Sequence, residues 1–148
     1  MAVLCLDEWL FHDLFGENGK ERQEEAVLLL KRIVERCDRL VVPQQSPWAQ
    51  KAYHLFKAAG SSPVLHEAAR LLSRGFLYNL SKGLLTSPSG PDPDPRIPEA
   101  DRYLVRAALA AGATLLVTTD GELLAALRET GLLQAEERDA FLIQYLAA

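Results

Sequence analysis

Pro98-Glu99-Ala100-Asp101-Arg102-Tyr103-Leu104 leads through an alanine-rich stretch into Ala113-Thr114-Leu115-Leu116-Val117-Thr118-Thr119-Asp120-Gly121. This reads as a helix with an aspartate in its first turn, then a buried strand ending in Thr-Thr-Asp, then a new helix. Residues 113–117 are apolar on both faces, as a central parallel strand requires. A helix that returns before its strand begins at the edge where that strand ends, which places Asp101 and Asp120 together. Asp7 follows the apolar run Ala2-Val3-Leu4-Cys5-Leu6 in the same manner. Carboxylates crowded at one edge repel each other unless a cation shares their charge. Mg²⁺ and Mn²⁺ prefer such oxygen ligands and keep waters for phosphate chemistry. Thr118 is placed to orient a carboxylate, and Glu122, just beyond Asp120, to join as an outer ligand.

Outward from this segment, residues 2–6 and 39–43 are strand candidates. The spacing predicts helices over 8–15, 20–38, 48–59, 64–80, 101–111, 120–129 and 136–147. In the second of these, Ala26, Leu29, Leu30, Ile33, Val34 and Cys37 recur at three- and four-residue steps. Ser46-Pro47 and Ser62-Pro63 each pair a capping hydroxyl with a proline suited to the first helical position. Residues 86–98 hold five prolines and can form neither a helix nor a central strand. They read as a loop, and Leu132-Leu133 as a short edge strand. The expectation is one domain over residues 1–148, a three-layer α/β/α fold with a mostly parallel sheet of four or five strands.

Composition narrows the function. Of 148 residues, 49% are hydrophobic and 24% charged, with a net charge of −4, which argues against a basic nucleic-acid coat. No apolar run approaches the ~20 residues that span a bilayer, and no cationic stretch precedes the first apolar one. Cys5 and Cys37 lack metal-type spacing and read as two buried thiols in a reducing cytosol. His12, His54 and His66 have no metalloprotease spacing. Neither a glycine-rich phosphate loop nor a glycine-flanked nucleophilic serine is present. Lys51, Lys57, Arg70, Arg74 and Lys82 are candidates for an RNA-backbone groove, and Trp48, Tyr53 and Phe56 read as core or partner surface.

The apolar strand before Asp7, the helix opened by Asp101, the run Leu-Leu-Val-Thr-Thr-Asp-Gly-Glu-Leu-Leu at 115–124 and the closing 132–146 segment resemble PIN-domain proteins. These are metal-dependent ribonucleases, many of them toxins of toxin–antitoxin pairs. The resemblance implies that Asp7, Asp101 and Asp120 hold Mg²⁺ or Mn²⁺ for attack on an RNA phosphodiester. It also implies an antitoxin-like protein partner and a homodimer as candidates. At the position of the family's glutamate after the second strand this chain has Gln50, a neutral and poorer ligand. Trp9 replaces the small polar residue two places after the first aspartate. The alternative is a catalytically degenerate PIN-like module that binds RNA or a protein.

Overall fold

A computed structural model describes residues 1–87 and 89–147. Residue 88 of the expected loop and residue 148 of the expected domain lie outside the described residues. Five strands form one sheet: β1 (Val3–Leu6), β2 (Arg39–Pro43), β3 (Gly83–Thr86), β4 (Leu115–Thr118) and β5 (Ala135–Glu137). Every neighbouring pair is parallel, in the order β3-β2-β1-β4-β5. Parallel neighbours need crossovers, and helices supply them on both faces, giving the three-layer α/β/α fold. The helices are α1 (Trp9–Leu14), α2 (Lys20–Glu35), α3 (Pro47–Ala58), α4 (Pro63–Leu72), α5 (Arg102–Ala110), α6 (Gly121–Thr130) and α7 (Arg138–Ala147).

The chain builds outward from β1 to β2 and β3, then returns to add β4 on β1's other side. The order therefore reverses between β1 and β4, and ligands of open parallel sheets bind at such a switch point, outside the strands' carboxyl ends. The three central strands are buried: Leu4, Cys5, Leu6, Leu40, Val41, Val42, Leu116 and Val117 are each no more than 2% exposed. They hold the switch point rigid.

The two Ser-Pro starts behave alike. Ser46 Oγ accepts from the Ala49 N–H and Ser62 Oγ from the Leu65 N–H, both at 3.2 Å. Helix α6 stops at Gly131, whose φ of 65° is the left-handed conformation that glycine adopts without steric cost.

Several boundaries differ from the sequence reading. The helix expected over 64–80 ends at Leu72 and passes through a π-helical turn, Ser73–Leu77, into β3, a strand the sequence pattern does not announce and whose last residue, Thr86, falls at the start of the expected 86–98 loop. Gly83 makes that entry possible, because a Cβ there would lie 2.1 Å from the Phe76 carbonyl oxygen. The last edge strand is Ala135–Glu137 rather than 132–133, so α7 begins at Arg138. Its sequence, Ala-Glu-Glu, has charges that discourage further strand pairing at an exposed edge. Helix α2 ends at Glu35, which leaves Cys37 beyond it and exposed, while Cys5 is buried as expected. Lys82 is withdrawn from any RNA groove. Its ammonium donates to the carbonyls of Ile33, Arg36 and Asp38, closing the carboxyl end of α2.

Candidate active site

Asp7 leaves β1 at the switch point, and its own N–H donates to the Val117 carbonyl of β4 at 3.0 Å. The indole Nε1 of Trp9 donates to the same carbonyl at 2.8 Å. Trp9 thus serves as a buried bolt between α1 and β4, a task no small polar residue performs. The Asp7 carboxylate accepts from Thr118 Oγ1 at 2.7 Å and from the Glu8 N–H at 2.7 Å. Thr118 is fully buried and its Oγ1 also accepts from the Asp120 N–H at 2.9 Å. One hydroxyl therefore joins the ends of β1 and β4. Burial pushes the Asp7 carboxyl above its usual range, and the Thr118 and Glu8 hydrogen bonds pull it part of the way back.

Asp120 opens α6, its Oδ1 accepting from the N–H groups of Glu122 at 2.9 Å and Leu123 at 3.4 Å. Asp101 occupies the corresponding position before α5 but makes no capping bond. Its carboxyl faces that of Asp120 instead, close enough that a proton on one would be hydrogen-bonded by the other. Burial first, then that bond and repulsion from Asp7, Asp120 and Glu8, push it up to about 7. Like charges this close are relieved by a proton, and a divalent cation would take that proton's place.

Glu8 is a fourth carboxylate that the sequence reading passed over. It accepts from the Tyr103 hydroxyl at 2.8 Å and pairs with Lys51 Nζ at 3.4 Å. Asp7, Glu8 and Asp101 line a cavity of about 730 Å³ with Trp9, His12, Glu17, Asn18, Thr119 and Arg138. A larger cavity, about 950 Å³, lies between α2 and α7 and includes none of these acids. Arg138 is the cation of the acidic cavity. It is fixed by Asp13 at 3.2 Å and Asp139 at 3.1 Å, and its guanidinium lies 5.9 Å from the centre of the Trp9 ring.

The fold thus gathers Asp7, Asp101, Asp120 and Thr118. Asp120 and Thr118 stand behind the cavity lining, tied to it through Asp7 and Asp101, and Glu122, also outside the lining, gives its N–H to Asp120 while its side chain is exposed. Gln50 lines a different depression. The signal for Glu8 was its place directly after Asp7. Arg138 and Tyr103 carried no local signal, because only the crossovers bring α5 and α7 to this edge.

Among the described residues, no group of three or more His, Cys, Asp or Glu side chains is arranged to hold a metal ion. The donor set still has the chemistry of one, with hard oxygen ligands whose burial and mutual repulsion push up a carboxyl. No helix among the described residues is long and apolar enough to cross a membrane. No protein-family model, curated protein or solved structure matches the chain.

Proposed function

We propose that the protein is a divalent-metal-dependent endoribonuclease of PIN-like type, working in the cytoplasm at the crevice between β1 and β4. The observation that carries this reading is the carboxylate cluster at the switch point, with Asp101 pushed up to about 7 by burial and its acidic neighbours. Asp7, Asp101 and Asp120 would hold Mg²⁺ or Mn²⁺, with Glu8 nearby. A bound ion of this kind supplies Lewis acidity and an activated water for phosphodiester hydrolysis. The chain's own residues prepare the site. Thr118 fixes the Asp7 carboxylate, Trp9 locks the strand end, and Asp101 gives up its proton. Lys51 and Arg138 set positive charge beside the acids, where an RNA backbone would pass.

The test is cleavage of single-stranded RNA in Mn²⁺ by the wild type and by Asp120→Asn. Asparagine caps helices about as well as aspartate, so the variant keeps α6 and its fold. Loss of cleavage with unchanged thermal unfolding is expected, and persistent cleavage sinks the assignment. The toxin role, an antitoxin-like partner and a homodimer belong to the same proposal through the PIN resemblance.

A second reading, a catalytically degenerate module that binds RNA or a protein, is favoured by one observation. No three side chains among the described residues are arranged as metal ligands. Gln50 in place of an acid is consistent with it.

A further inference from the structure

Beside the acidic crevice lies a second feature that the chemistry above does not use. Gln50, Tyr53 and His54 stand three and four residues apart on α3 and therefore share one face. With Gln45, Ser46 and Ala49 they line a shallow cavity of about 280 Å³. Gln45, Gln50, Tyr53 and His54 are all exposed, Tyr53 to 58%. The three aromatic residues grouped together in the sequence separate here: Trp48 is fully buried and Phe56 packs against the core, leaving Tyr53 alone in the open. The Lys57 ammonium lies 5.4 Å from the centre of the Tyr53 ring, and the His54 ring lies 6.5 Å away, tilted by 48°. Gln45 has a φ of 50°, the only left-handed backbone among the described non-glycine residues. Such conformations persist where the surroundings enforce them, and they cluster at binding sites.

We infer that this shelf is a nucleobase subsite for single-stranded RNA, a reading that rests on the ribonuclease proposal. An exposed tyrosine face stacks any base, and glutamine amides offer the donor and acceptor pair that reads a base edge. Lys57 adds positive charge for the adjoining phosphate. The position fits the same substrate. Trp48 Nε1 donates at 2.8 Å to the carbonyl of Leu6, the residue before Asp7. Lys51, next to Gln50, reaches Glu8 at the acidic crevice. Strands β1 and β2 are neighbours, about 4.8 Å apart. On this reading an RNA strand with a phosphate at the acids continues along α3 and lays a nearby base on Tyr53. A peptide is disfavoured, because groove-binding segments use several apolar anchors and this shelf offers one ring.

The test is fluorescence anisotropy of a labelled eight-residue single-stranded RNA with the full chain, in Mn²⁺ on ice, with cleavage followed on gels. Tyr53→Ala is expected to weaken binding about 10-fold. Tyr53→Phe, which retains the ring, is expected to stay within about threefold of the wild type. Both variants should show unchanged thermal unfolding, since the side chain is exposed. Cleavage by the wild type together with equal binding by Tyr53→Ala overturns the shelf and leaves the nuclease reading intact. A wild-type chain that neither binds nor cleaves the RNA overturns both readings, and the shelf would then pass to a protein partner.

Discussion

Thr118→Val removes one hydroxyl from the switch point and keeps the side chain's shape. In the wild type that hydroxyl donates to the Asp7 carboxylate at 2.7 Å and accepts from the Asp120 N–H at 2.9 Å. Both bonds are sheltered, Thr118 being 0% and Asp7 8% exposed. A hydrogen bond to a charged group contributes about 1.5–3 kcal/mol and a neutral one about 0.5–1.5 kcal/mol. The added methyl returns about 0.8 kcal/mol. The expected net loss is roughly 1–4 kcal/mol at pH 7, or a Tm lower by about 3–12 °C for a chain of this size. Its pH dependence has a definite sign. The Thr118 bond favours ionised Asp7, so its removal raises a folded-state pKa that burial has already raised above 3.8. A raised carboxyl keeps its full contribution below its unfolded pKa and loses it as pH rises. The variant's deficit should therefore be larger at pH 8 than at pH 4. Urea unfolding at the two pH values measures it. A deficit below about 0.5 kcal/mol, or one equal at both pH values, would refute the role given to this hydroxyl.

The metal-free wild type should lose stability relative to Asp101→Asn as pH rises from about 4 to 8. The Asp101 carboxyl, 3.8 when unfolded, is pushed up to about 7 in the fold, so its contribution is complete at low pH and disappears through that window. Urea unfolding in EDTA reads the difference, and a flat difference contradicts it. Arg138→Met should destabilise the protein by about 3 kcal/mol, because it leaves Asp13, 1% exposed, without its ion-pair partner. Adding Asp13→Asn should recover more than half of the lost Tm, and no recovery would place the cost elsewhere. Gly83→Ala should abolish the soluble fold or shift β3, since its Cβ would lie 2.1 Å from the Phe76 oxygen. A circular dichroism melt like that of the wild type would show that the entry into β3 is not tight.

Sequence patterning revealed the strands that are apolar on both faces. Β1, β2 and β4 announce themselves because central parallel strands must be buried throughout. Of the two edge strands, β3 did not, and β5 is signalled only by Leu132-Leu133 just before it. Gly83-Leu84-Leu85-Thr86 opens with the residue least suited to a strand, and Ala135-Glu136-Glu137 has almost nothing apolar. Edge strands need only one neighbour, so they carry little pattern. In the candidate site, Asp7, Asp101 and Asp120 were legible because each sits at a strand end or helix start, where topology fixes position. Glu8 was hidden by its neighbour Asp7, and its partners Tyr103 and Lys51 come from α5 and α3, through contacts no local pattern encodes. The family resemblance sets Gln50 beside the acids, whereas in the fold it lines the shelf with Tyr53.

The most direct test of the carboxylate cluster as a metal centre is calorimetric titration of Mn²⁺ into metal-free protein. It should be run at pH 6 and pH 8, in buffers of different ionisation enthalpy, beside Asp120→Asn. The expected result is binding to the wild type that is tighter at pH 8 and releases close to one proton at pH 6, as Asp101 is deprotonated. Asp120→Asn should bind at least about 10-fold more weakly. Absence of Mn²⁺ binding to the wild type at both pH values would contradict the metal centre and leave a binding module in its place.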